Sequence, residues 1–318
     1  MENKYFGAEV LLTACSNAKK DENILFVTDD TSKEVADILW NRACDYTNKN
    51  MIVMGDRTMH GEEPTKIVAA AMSQSDLIFG VTKFSMFHTE ARRNAVKNGA
   101  RFVNMVDYCV DMLSKGGLFV DFVEQSKIVD KVSDSIIGDE MIITTLSGTE
   151  IKSKINGRDP LRQYGRSLNK SAGSSPPDIE SAIAPLEDSS NGIVYIDGSI
   201  PHPLLGLIKN PIKLTIANGK IAEIEGEEEA DILRNLLAEL KDEKAYYIGE
   251  IGIGLNPCAE LNGRMLSDEG CMGTVHFGFG SNTTFGGTIE SNNHLDMIFK
   301  NPTVVVDGKS IMKNGELF

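Results

Sequence analysis

Residues 23–54 read NILFVTDDTSKEVADILWNRACDYTNKNMIVM, and this stretch decides the fold of the first half of the chain. It opens on a short apolar run at 23–28, after which Asp29, Asp30 and Thr31 are helix-capping residue types. Val35, Ile38, Leu39 and Ala43 then recur at helical spacing. The run 51–54, closed by Gly55, reads as a second buried strand. Toward the C-terminus the alternation continues. Glu63-Pro64 predicts a helix start with proline in the first turn, running on through residues 67–72. Residues 77–81 form a third strand candidate, 89–98 a helix stopped by Gly99, and 101–105 a fourth strand followed by another helix. Short strands alternating with helices predict a parallel sheet covered on both faces, with right-handed crossovers. No GxGxxG motif follows the first strand, which argues against a dinucleotide site. Ligands in such sheets sit beyond the carboxyl ends of the strands, where residues 82–90 fall.

From about residue 140 the texture changes. Residues 141–155 predict a hairpin turning at Ser147-Gly148. Residues 157–178 are rich in Gly, Ser, Arg and Pro and read as a long ordered loop or partial linker, and a loop of that length is often functional. Asn218-Gly219 sits between two alternating runs, a strong hairpin signal, and 228–242 reads as a helix. The expected organisation is a Rossmann-like α/β domain with a parallel sheet over 1–138, and an α+β, mostly antiparallel β, metal-binding domain over 139–318.

Composition excludes several classes. The chain has 318 residues and a formal net charge of -14, so a phosphate backbone is a disfavoured partner. No apolar stretch approaches the roughly 20 residues a membrane helix needs, and the N-terminus lacks the features of a secretory leader. Cys15, Cys44, Cys109, Cys258 and Cys271 are scattered, odd in number and without a CxxC pair, as free thiols in a reducing compartment would be. These features predict a cytoplasmic protein with neither nucleic acid nor membrane as partner.

The chemistry concentrates near the C-terminus. His294-x-Asp296 on a strand puts an imidazole and a carboxylate on one face, because the side-chain period is two. That pair suits a divalent first-row metal. His276 on a strand-like run supplies a second imidazole, and Glu250 and Glu269 add oxygen ligands. With several carboxylates present, two ions sharing a bridging group become feasible. A lone histidine in a glycine-rich strand is ordinarily just a hydrogen-bonded side chain. The case rests on concentration: two of the chain's five histidines fall within 276–296, among glycines that let backbone approach a ligand. In the first half, His88 follows the third strand, and an imidazole there can serve as acid or base. Arg92 or Arg93 could hold a substrate carboxylate bidentately. His60 and His202 lie in loops and receive no role.

The ordered set Glu250-x-Gly-x-Gly-x-Asn, Asp268-Glu269, Gly273-Thr274-x-His276-x-x-x-Gly280, Gly286-Gly287 and His294-x-Asp296 resembles the aminopeptidase T family of metallopeptidases. It resembles at least as well the family's shorter relatives, which include 2,5-dihydroxypyridine 5,6-dioxygenases. The likeness covers most of the second half and extends more weakly through 88–92 and 99–101. The peptidase resemblance implies a two-metal site of His276, His294, Asp296, Glu250 and Glu269. Glu180 joins them as sixth ligand, because Pro177-Asp178-Ile179-Glu180 followed by Ala184-Pro185 matches the family's remaining glutamate segment. It also implies a homodimer and a cleft for a short peptide or other small-molecule substrate. In this reading zinc, cobalt or manganese activates a water for attack on an amide carbonyl, with Glu250 or a neighbouring carboxylate taking the proton, and His88 stays a separate acid–base candidate. One position departs: the peptidases carry a tyrosine seven residues after the motif histidine, where this chain has Thr283, which cannot present a phenolic hydroxyl. The dioxygenase resemblance implies a single iron held by His276, His294 and Asp296, with positions open for oxygen and substrate. The expected function is therefore a metal-dependent hydrolase. Its alternatives are an iron ring-cleaving dioxygenase and a non-catalytic small-molecule binder.

Overall fold

The computed structural model describes residues 3–318. Packing divides the described chain into two compact units. One takes the chain up to Phe122 together with Tyr164–Pro177, and the other takes Val123–Gln163 and Asp178–Phe318. The sequence-based join near 138 is a single cut, whereas the compact units exchange at three places along the chain.

In the first unit, β1 (Ile24–Asp29), β2 (Lys49–Met54), β3 (Leu77–Val81) and β4 (Arg101–Asn104) form a parallel sheet in the order β2-β1-β3-β4, and Gly173–Ser174 adds to β4 as a fifth, also parallel, strand. Every residue of β1 and β3 is buried, as a strand covered on both faces requires. On one side Leu25, Val27, Ile78 and Phe102 pack with Val68, Met72, Ala91 and Ala95 of the helices Lys66–Met72 and Glu90–Lys97. On the other, Phe26 stacks on Phe79 with ring centroids 5.2 Å apart. Thr89 caps the helix Glu90–Lys97 by accepting from Arg92 N, and Gly99 ends it at φ +105°. The helix expected to start at Pro64 starts later. Thr65 caps it by accepting from Val68 N, so Pro64 stays outside the first turn. A helix at Asn3–Val10, running on as a π-helical turn over Leu11–Cys15, precedes the sheet.

The second unit is mostly antiparallel β, with all but the first residue of the helix Phe122–Ser135 and the helix Glu228–Glu239. Among the described residues it holds an eight-stranded and a seven-stranded sheet. The first of these alternates buried with exposed positions, as in Glu150–Lys154, where one face is solvated. Asn218 and Gly219, both at positive φ, make the tight turn between Ile212–Ala217 and Lys220–Glu225. The seven-stranded sheet carries β5 (Glu180–Ile183), β6 (Ile248–Gly254), β7 (Thr274–Gly280) and β8 (His294–Lys300), adjacent in the order β8-β7-β6-β5 and all antiparallel. No helix among the described residues is long and apolar enough to cross a membrane.

Candidate metal centre

The central strands of the seven-stranded sheet have two unlike faces. Ile183, Ile251, Ile253, Val275, Phe277, Phe279, Met297 and Phe299 point one way and are fully buried. They alternate with Glu180 and Ala182 on β5, Glu250, Gly252 and Gly254 on β6, His276, Gly278 and Gly280 on β7, and His294 and Asp296 on β8. Cross-strand register sets each polar side chain opposite a glycine. Glu180 faces Gly254, Glu250 and Asp296 face Gly278, His276 faces Gly252, and His294 faces Gly280. The glycines are required by space. A Cβ at position 252 would strike the His276 imidazole. One at 278 would lie 2.6 Å from Nε2 of His294 and 3.0 Å from Oδ1 of Asp296. At these glycines the sheet forms a floor without side chains, over which imidazoles and carboxylates fold toward one another.

Glu250 lies between the two rings. Its Oε2 is 2.9 Å from His294 Nε2, and its Oε1 is 3.8 Å from His276 Nε2. Glu180 Oε2 stands 3.2 Å from His276 Nε2, and Asp296 Oδ1 3.4 Å from His294 Nε2. Two groups of possible ligand atoms result, Glu180–Glu250–His276 and Glu250–His294–Asp296, each with its atoms within 4.8 Å of one another and with Glu250 shared. The Nδ1 of His294 is 2.9 Å from the Ser281 carbonyl, which can only accept, so Nδ1–H donates. That bond turns Nε2 toward the carboxylates. Glu269, just after the short helix Met265–Asp268, shares a hydrogen bond with Asp296.

The electrostatics describe a site short of positive charge. Burial pushes up the carboxyls of Asp178, Glu180 and Glu269, and mutual repulsion with the neighbouring acids adds to it. For Glu250 burial acts the same way, yet the nearby His276 ring and the hydrogen bond to His294 outweigh it and hold the carboxyl below its ordinary range. Asp296 is likewise lowered, by His294 first, against its own burial. Burial works against a charged His276, but Glu180, Glu250 and Asp296 prevail and lift the ring to about 9. His294 is raised for the same reason, chiefly by Asp296. Even so, Oδ1 of Asp178, Oε2 of Glu180, Nδ1 of His276 and Oδ1 of Asp296 are buried without a well-directed hydrogen bond. Buried charges are paired or bind metals. This donor set, with unsatisfied oxygens over a glycine floor, fits a divalent cation.

The structure therefore gathers Glu180, Glu250, His276, His294 and Asp296, and sets Glu269 against Asp296. His88 belongs to the first unit. It is exposed, its ring edge-on to Phe87, and its carbonyl accepts from Arg93 at 2.6 Å. Arg92 lies over the Phe87 ring at 4.1 Å. His60 accepts from Ser85 N, and His202 from Leu204 N. Sequence reasoning passed over Asp178, which is 2 % exposed and feels the charges of Glu250 and Asp296. Its position two residues before Glu180 in an extended segment was the available signal. Ser281 acts through its carbonyl, which no side-chain pattern marks. Thr283 lines a cavity of about 430 Å³ with Asp242, Ser281, Glu290, Ser291 and Asn292.

Comparison with known proteins places this geometry in a family. A curated 2,5-dihydroxypyridine 5,6-dioxygenase of Pseudomonas putida is 33% identical over 143 residues, 42% of this chain and 41% of the relative. The match thus spans less than half of that protein's length. The solved structure of the Pseudomonas putida 2,5-dihydroxypyridine dioxygenase superposes with a TM-score of 0.82 at 19% identity, covering 99% of this chain and 96% of the other. Wild-type AmpT from Thermus thermophilus superposes at 0.70 with 15% identity, covering 99% and 98%. At these identities the two structures speak for a shared fold. The family model NicX, 2,5-dihydroxypyridine 5,6-dioxygenase, matches residues 12–318, and the chain belongs to that family.

Proposed function

We propose that the protein is an iron-dependent dioxygenase that opens a hydroxylated pyridine ring of the 2,5-dihydroxypyridine type. The observation that carries this reading is a set of two imidazoles and one carboxylate, His276, His294 and Asp296, on one face of a side-chain-free floor, in a chain of this family. Two histidines and a carboxylate are the ligand set that leaves open positions on ferrous iron. Bound there, iron would supply the one-electron chemistry that lets dioxygen react with an aromatic ring. The protein's own part is positioning and proton handling. Ser281 fixes the tautomer of His294, and Glu250, kept ionised by both histidines, is the base for a substrate hydroxyl. Phe285, stacked on His294 with centroids 5.8 Å apart, offers a flat apolar wall for a ring.

Protein loaded with ferrous iron should consume oxygen in step with the loss of 2,5-dihydroxypyridine absorbance, and chelation should stop both. An iron-loaded protein inert toward hydroxylated pyridines would sink the proposal. His88 is the second acid–base candidate of this reading. His88→Gln should keep the metal and lower kcat by about 10²-fold; an unchanged kcat removes His88 from the mechanism.

A dinuclear hydrolase is the second reading, favoured by one feature: Glu250 belongs to both ligand groups, as a bridging carboxylate would. Two zinc, cobalt or manganese ions per chain with turnover of amino-acid anilides would select it over the dioxygenase.

A further inference from the structure

We propose that Glu187 is a positioning residue for the metal centre: through the loop 281–293 it holds the Ser281 carbonyl and the Phe285 ring against His294.

The loop reads SNTTFGGTIESNN, with little apolar material of its own to order it. Asp242 holds the far end of the loop, its Oδ2 accepting from Ser291 Oγ at 2.6 Å, and Glu187 supplies the rest of the order from outside. Its Oε1 accepts from Thr288 N at 2.8 Å, Thr288 Oγ1 at 3.0 Å and Asn282 Nδ2 at 3.4 Å. Its Oε2 pairs with Arg158 at 2.7 Å, and another guanidinium nitrogen of Arg158 donates to the Gly286 carbonyl. One ion pair thus grips the loop at Asn282, Gly286 and Thr288. Asn282, fully buried, closes it from within, its Oδ1 accepting from Ile289 N at 2.7 Å. Gly287 passes so close to the Asn282 side chain that a Cβ there would collide with it. Burial raises the Glu187 carboxyl, but the donors around it win and bring it to about 2, so the grip is permanent rather than a switch.

What the gripped loop presents is the environment of one imidazole. Phe285 lies nearly parallel to the His294 ring, at 14°, and Ser281 accepts its Nδ1–H. Ring plane and tautomer are both set by loop atoms, and partners of this kind tune a ligand histidine. Glu187 touches neither ring, so it acts through the loop.

The inference rests on reading His294 as a metal ligand, and the experiment separates the two. Cobalt affinity is measured by competition with a chromophoric chelator, and the His294 Nδ1–H proton is followed by NMR in zinc-loaded protein, assigned by its loss in His294→Ala. Glu187→Ala should weaken cobalt binding by about 10–100-fold and lose the slowly exchanging Nδ1–H signal, with circular dichroism unchanged. Glu187→Gln, which keeps an acceptor oxygen for Thr288, should fall between. Should Glu187→Ala fail to fold, Phe285→Leu carries the test, with weakened cobalt binding again expected. Wild-type affinity together with a retained Nδ1–H signal in the folded variant overturns the inference alone. Wild-type protein that binds no cobalt and no zinc overturns the ligand reading, and the inference with it.

Discussion

Replacing His276 with alanine should strip the centre of its metal and abolish turnover while leaving the fold intact. The ring sits on β7 with its back to a floor of glycine, and the next residue, Phe277, is buried in the opposite, apolar face that carries the packing. Loss of a supporting partner of a ligand typically costs 10–100-fold in metal affinity, so loss of the ligand itself should exceed about 100-fold. The pH dependence gives a second signature. In the metal-free protein His276 is held up at about 9, so at neutral pH the ring carries a proton that a cation must displace. Apparent affinity in the wild type should therefore climb as pH rises toward 9. His276→Ala should lose the part of that slope belonging to this ring. Metal content and affinity measured between pH 6 and about 9.5 check both points. A variant that keeps wild-type metal and slope would remove His276 from the centre.

Gly252→Ala should reproduce much of that loss with every ligand still present. The added methyl would occupy the space of the His276 imidazole, and the ring, fixed to a central strand and 1 % exposed, has nowhere to go. Overpacking of this kind costs about 1–3 kcal/mol, and the displaced ring should lower metal affinity at least about 10-fold. Gly55→Ala is the control: nothing lies within 4 Å of its Cβ position, so stability should stay within about 0.5 kcal/mol. Thermal unfolding with metal analysis reads both. If Gly252→Ala binds metal as well as the wild type, the floor has no bearing on the centre.

The parts of the fold legible in the sequence are those with a local physical signature. Residues 24–27 and 77–81 are apolar throughout because both faces of β1 and β3 are covered, and Asn218-Gly219 names its own turn. At the site, His294-x-Asp296 and the alternating glycines were readable because a strand repeats every two residues. Other features have no such signature. The two-residue strand Gly173–Ser174 is too short for periodicity. Asp178 acquires its environment from Glu250 and Asp296, far away in sequence. Glu187 looks like any loop acid until Arg158 and Thr288 are brought to it. The proline at 64 misled because Thr65 is the stronger cap.

The fifth strand of the parallel sheet also orders events on the ribosome. Gly173–Ser174 pairs with β4, yet it is synthesised only after the hairpin Glu140–Lys154 of the other unit has emerged. The sheet of the first unit therefore keeps β4 as an unpaired edge until the segment ending at Pro177 has left the exit tunnel, and Glu180 follows three residues later. A nascent chain halted before residue 173 would hold four strands of the parallel sheet and none of the acids or imidazoles that gather over the glycine floor.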